Sequence, residues 1–197
     1  MNADTATQLV LVLLGAALVF ALIGWAPYGR TIGPPLALLA LGAAAVLASV
    51  SEELSTGRWT TTVLVALAGL LAVVGGGPLT TRIFAIVDRA DQTSQASRAS
   101  EAGQSGRPDR ETLDEAGRVL RGGAWIGALE RLAVFAGLAA GFPEGVAVVL
   151  ALKGVGRFPD LRADGGSGAA TERFIIGTFA SVLWAAACAG MVALVLR

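Results

Sequence analysis

Residues 6–26, "ATQLVLVLLGAALVFALIGWA", contain no charged side chain. At 1.5 Å rise per residue, such a run reaches about 30 Å as a helix, the thickness of a bilayer's hydrocarbon core. A soluble helix of that length would carry a polar face. Comparable apolar runs recur to the C-terminus, and the composition agrees, with 54% hydrophobic and only 15% charged residues. The expected fold is all-α, a polytopic integral membrane helix bundle of about six transmembrane helices. Five spans plus a re-entrant segment is the alternative.

The first run is read as a mature helix, because "MNADTATQ" before and at its start holds Asp4 and no basic residue, unlike a secretory leader. It ends at "WAPYGR", where Trp25 and Tyr28 suit a membrane interface and Pro27 breaks the helix. The second span starts at Pro34–Pro35, residues tolerated in a first helical turn, and stops at polar "SEELSTGR". The third begins near Trp59 and reaches "GGGP", where three glycines and Pro78 are expected to end or hinge it. Leu79, Ile83, Ile86 and Val87 then have the spacing of an interfacial amphipathic helix, with a bent continuation of the third span as the competing reading. Residues 91–114 lack apolar periodicity and read as a loop, with helix returning around Leu113–Leu120. A fourth span over 123–141, a "GFPEG" turn, a short fifth over 145–158 and a sixth over 174–196 complete the chain. The fifth, at about 21 Å, motivates the re-entrant alternative. Three regions result: an N-terminal three-helix membrane region (1–78), an interfacial helix and mobile loop (79–121), and a C-terminal three-helix membrane region (122–197), together one membrane domain.

Loop charges set an expected orientation, because cytoplasmic loops retain Lys and Arg. With six spans, one side receives Arg30, the seven arginines from Arg82 to Arg121, and Arg157, Arg162 and Arg173, while the other receives Arg58 and Arg197. This places 79–121 in the cytoplasm and both termini outside; a re-entrant fifth segment would move the C-terminus inside. The Arg, Ala and Gly excess suggests a bacterial genome rich in G and C, hence a bacterial cytoplasmic (inner) membrane.

The charges inside the apolar C-terminal half are the candidate functional cluster: Glu130, Arg131, Lys153 and Arg157. If "GFPEG" joins the fourth and fifth helices as a hairpin, Glu130 and Lys153 both lie roughly 15–16 Å from the turn, level with one another. An intramembrane carboxylate needs a partner, and Lys153 is the expected one. Arg131 points about 100° away and could snorkel toward an interface or a water-filled cavity, and Arg157 lies one turn from Lys153 on the same strip. The structural reading is a neutralising pair that fixes helix register. The functional reading is a positive pocket for an anion, a phosphorylated lipid or a proton-coupled solute.

Gly123, Gly127, Glu130, Val134, Gly137 and Gly141 form one stripe at spacings of three and four, a face expected to pack closely against another helix. Gly177 and Ser181 in "GTFAS" form a similar small pair. Cys188 is expected to be a small buried hydrophobe. The chain has no histidine, which removes the commonest acid–base catalyst and metal ligand, and Ser181 lacks a histidine base. No catalytic, cofactor or metal residue is assigned, and the balanced charge offers no case for nucleic acid.

"GAWIGALER", "ALKGVGRFPDL" and "ERFIIGTFAS", in that order, resemble the C-terminal membrane module of an uncharacterised family of bacterial polytopic membrane proteins, a domain of unknown function. The likeness covers roughly residues 117–190. It implies no activity, and it points to Glu130, Arg131, Lys153, Arg157, Gly177, Thr178 and Ser181 as the positions matching the pattern.

The expected function is that of a non-enzymatic assembly, scaffold or accessory subunit with a homo-oligomeric or membrane-protein partner, set in the lipid bilayer and touching anionic lipid. The alternative is a transporter or channel subunit for a small solute or ion, using Glu130 and Lys153 as gate or coupling residues.

Overall fold

The computed structural model describes residues 2–51, 54, 57–102, 123–163 and 168–197. All described secondary structure is helical: α1 (Ala3–Ile23), α2 (Gly33–Val50), α3 (Arg58–Ala102), α4 (Gly123–Ala139), α5 (Glu144–Ala163) and α6 (Gly168–Val195). Four stretches, Ala3–Ile23, Gly33–Val50, Arg58–Ala90 and Thr171–Val195, are long and apolar enough to cross a membrane. The chain is thus an all-α bundle in which four of the six described helices, against the six spans expected, are long and apolar enough to cross a membrane. Of the other two helices, α4 has 17 residues, and α5 carries Glu144, Lys153, Arg157, Asp160 and Arg162 along its 20.

α3 and α6 form the antiparallel centre, α1 and α2 pack on one side, α4 packs against both central helices, and α5 leans on α4. Small residues make the α1–α2 contact close. Ala6, Val10, Leu14, Ala17 and Ala21 are buried on α1, facing Ala37, Ala40, Leu41, Ala44 and Ala48 on α2. Spacings of three and four keep each set on one helical face, where dispersion between closely approaching helices replaces the hydrophobic drive that lipid cannot supply. The corner between them is tight: a Cβ on Gly29 would lie 1.9 Å from the Ile23 carbonyl oxygen.

Three expectations about helix ends change. α3 does not end at "GGGP"; it passes Pro78 and runs 45 residues, so the expected interfacial helix is its continuation. Residues 91–102, expected as loop, are helical as well. Once a helix is nucleated each further residue adds a hydrogen bond, and Ala, Gln, Glu and Arg in this stretch favour propagation. α5 runs past the expected end at 158 to 20 residues, about 30 Å, but the added turn is polar and α5 is not among the four stretches apolar enough to span. Residues 103–122, with the expected helix at Leu113–Leu120, and the pair Glu52–Glu53 lie outside the described residues.

The "GFPEG" turn closes α4 with paired backbone bonds: Phe142 N–H donates to the Gly137 carbonyl (2.8 Å) and Gly141 N–H to that of Leu138 (3.1 Å). Gly141 adopts φ +73°, the left-handed conformation that this end motif requires and that glycine enters without a Cβ clash. The chain reverses here, which brings α5 back along α4.

A polar seam at the α3 break and the charged pair beside it

Pro78 has no N–H, so the carbonyl of Val74, four residues back, loses its helical donor. Trp25, from the α1–α2 corner, supplies one: its Nε1 donates to the Val74 oxygen at 3.1 Å. Donors from other elements meet the same stretch. Trp184 Nε1 of α6 donates to the Leu71 carbonyl (3.0 Å), and Arg131 Nε of α4 donates to that of Val73 (3.0 Å). Thr80 and Thr81 hydroxyls return to the carbonyls of Gly76 (2.8 Å) and Gly77 (3.1 Å). Away from water an unsatisfied carbonyl costs several kcal/mol, on the order given for polar groups in hydrocarbon. Trp25 meets that need at Val74, and the other donors add second bonds to carbonyls that keep their helical partners.

The three glycines make room for those side chains. A Cβ on Gly75 would lie 2.5 Å from the Trp184 ring, one on Gly76 would lie 2.3 Å from Arg131 Cδ, and one on Gly77 would lie 3.0 Å from the Trp25 ring. The triplet therefore serves as three adjoining slots.

Arg131 is turned into the bundle with 7% of its surface exposed, and of its two expected directions, toward an interface or toward a cavity, it takes a place in the wall of a small crevice. Its Nη1 also reaches the Ser181 hydroxyl oxygen at 3.5 Å, a long contact. Glu130, the next residue along α4, faces α5 instead, where Lys153 Nζ donates to its Oε2. Both partners keep about a fifth of their side-chain surface exposed, 17% for Glu130 and 21% for Lys153. Lys153 Nζ also lies 6.0 Å from the Phe174 ring centroid, which links α5 to α6. Glu130, Arg131, Lys153 and Ser181 thus meet, with Val134, Val149, Leu150 and Val182, around a crevice of about 10 Å³. Arg157 is half-buried one turn along α5 from Lys153.

The glycine stripe of α4 is not the close-packing face that its spacing suggests. A Cβ on Gly127 would meet Arg131 of the same helix, one on Gly137 would meet the Phe142 carbonyl in the turn, and Gly141 faces open space. Gly123 is exposed, and Val134 alone of the stripe is buried. The close contacts run on α3: Phe135 covers Gly69 (3.1 Å from a built Cβ). Gly177 does pack against another helix, with Phe84 3.0 Å from a built Cβ. Ser181 is buried beside Arg131, and Thr178 Oγ1 is buried with no hydrogen bond among the described residues. Cys188 is fully buried in the core.

The roles of Trp25, Trp184 and Gly75–Gly77 are not visible in a search for chemistry-bearing clusters. The one signal in the sequence is Pro78 within an apolar run, since it announces a carbonyl in need of a donor.

No protein-family model, curated protein or solved structure matches the chain.

Proposed function

We propose that the chain is a non-enzymatic multi-pass protein of a bacterial cytoplasmic membrane, acting as an assembly or accessory subunit that associates with itself or with another membrane protein. The observation that carries this reading is how the site's polar groups engage one another. Lys153 holds Glu130, and Arg131, Trp25 and Trp184 hold the carbonyls of α3. Ser181 receives the Arg131 guanidinium, a donor and not a base. The crevice among these groups, about 10 Å³, has room for about one water. Such a set locks helix positions. The placement of 79–121 in the cytoplasm rests on the arginine-rich loops, and the bacterial assignment on composition and on the family resemblance over 117–190.

The test is a double-mutant cycle in nanodiscs, read by thermal unfolding, with Glu130→Gln, Lys153→Met and the combination. Breaking a desolvated ion pair strands a charge and is expected to cost about 3–5 kcal/mol, while removing both charges approaches neutrality. Cross-linking in native membranes should then trap a discrete oligomer or a stoichiometric complex. A transporter or channel subunit is the second reading, favoured by the gathering of Glu130, Arg131 and Lys153 around one crevice. Single variants as stable as the wild type would show that the charges do not hold the fold, and would put that reading first.

A further inference from the structure

Arg131 is a buried cation, and among the described residues no carboxylate lies within salt-bridge distance of it. The carboxylate of Glu130 is taken by Lys153. Arg131 makes two hydrogen bonds, through Nε and Nη1, which leaves further guanidinium donors at the crevice that it lines. Lys153, with three N–H donors on its ammonium, gives one to Glu130. Two cations against one carboxylate leave a net positive charge in a low-dielectric site, a state that calls for an anion.

Depth identifies the source of that anion. α1 is 21 residues long, about 31 Å, so its two ends mark the two faces of the bilayer. Trp25 and the exposed Tyr28 follow its C-terminal end, as interfacial aromatics do. Trp25 binds the Val74 carbonyl and Arg131 binds that of Val73, one residue away on the same helix. Pro78 packs on Gly24 at that corner and Val73 lies five residues, about 8 Å, below it, so Arg131 is nearer this face than the other and in snorkelling reach of lipid phosphates. Around it, Val134, Val149, Leu150 and Val182 give the crevice an apolar wall. Its volume of about 10 Å³ admits one water-sized group, so one phosphoryl oxygen can enter while the remainder of a headgroup stays at the mouth.

We propose that the crevice between α4, α5 and α6 binds the phosphate of an anionic phospholipid, with Arg131 and Lys153 as its cations, Ser181 as a hydroxyl donor, and an acyl chain along Val149, Leu150 and Val182. Glu130 competes with the phosphate for Lys153 and sets the affinity. The site rests on the membrane placement of the helices and not on the assembly role, so failure to find a partner protein leaves it standing.

Native mass spectrometry of the intact protein in detergent, titrated with dioleoylphosphatidylglycerol and separately with dioleoylphosphatidylcholine, tests it. The wild type is expected to hold the anionic lipid more tightly than the zwitterionic one. Glu130→Gln, which removes the competing charge, should tighten it about fivefold, and Glu130→Gln/Lys153→Met, a pair-free variant expected to unfold at about the wild-type temperature, should weaken it about fivefold relative to the wild type. Arg131→Lys keeps the charge and should retain most of the binding, and Arg30→Gln, exposed at the same face, should change it less than about twofold. Three results would overturn the site: equal affinity for the two lipids, a loss in Arg30→Gln as large as in the pair-free variant, or an affinity order among the Glu130 and Lys153 variants that is flat or reversed. Displacement of the lipid by millimolar inorganic phosphate would also overturn it, by assigning the crevice to soluble phosphate.

Discussion

The indole Nε1 of Trp25 donates to the carbonyl oxygen of Val74, the acceptor that Pro78 deprives of its helical partner. A residue from the α1–α2 corner thus completes a helix that lies 49 positions away in sequence. The interaction couples the first two spans to the centre of the bundle.

That coupling is measurable. Trp25→Phe keeps most of the ring's packing and removes the donor, and a hydrogen bond of this kind is worth about 1 kcal/mol net. In a Pro78→Ala background the Val74 carbonyl regains a backbone donor, so the same replacement should cost less. Thermal unfolding of the four proteins in nanodiscs gives the coupling energy, and strict additivity would sink the account.

Gly76 is the slot for Arg131. Gly76→Ala places a Cβ 2.3 Å from Arg131 Cδ, inside van der Waals contact, and is expected to cost about 1–3 kcal/mol through overpacking. Gly42, on α2, has nothing within 4 Å of a built Cβ. Gly42→Ala should be neutral or add about 0.5–1 kcal/mol, since alanine loses less backbone freedom in a helix. Equal melting temperatures for the two variants would contradict the slot.

Gly141→Ala tests the turn that aligns α4 with α5. At φ +73° a Cβ is strained whatever the space around it, by about 1–2 kcal/mol. Because the turn sets the level of Glu130 and Lys153, the stabilising coupling between those two charges should shrink in this background. A coupling unchanged from wild type would show that the pair is aligned by other contacts.

Cys188, wholly buried in the core, should react with a water-soluble maleimide only after local opening. Tyr28→Cys in a Cys188→Ala background, at a position 95% exposed, provides the reference. A rate ratio of at least about a hundred is expected, the signature of an opening free energy above about 2.7 kcal/mol. Comparable rates would place Cys188 at a surface.

The alignment of Glu130 with Lys153 was legible because it needs only local information. Two helices, a tight turn and a constant rise fix which residues lie level, whatever surrounds the hairpin. The rotation of α4 was legible only in part. Its spacing put the glycines, Glu130 and Val134 on an inward stripe, and Val134 is buried with Gly127, Glu130 and Gly137 half-buried, yet Arg131 and Phe135, which lie off the stripe, are the other buried residues of that helix. A helix that is apolar nearly all round gives no amphipathic signal to say which side meets protein and which meets lipid.

The sequence by itself determined the all-helical, membrane-type architecture, since apolar runs of bilayer length satisfy their backbone groups in no simpler way than as helices. It also determined the level of the charged pair. Tertiary structure alone decided that "GGGP" would be a set of slots and not an end, and that Arg131 would turn inward. Both outcomes depend on Trp25, Arg131 and Trp184 reaching carbonyls of residues far from them along the chain. Such contacts leave no local period to read. They exist only once the helices have packed, when the one carbonyl that Pro78 leaves unmet finds Trp25 and the glycine slots admit Arg131 and Trp184.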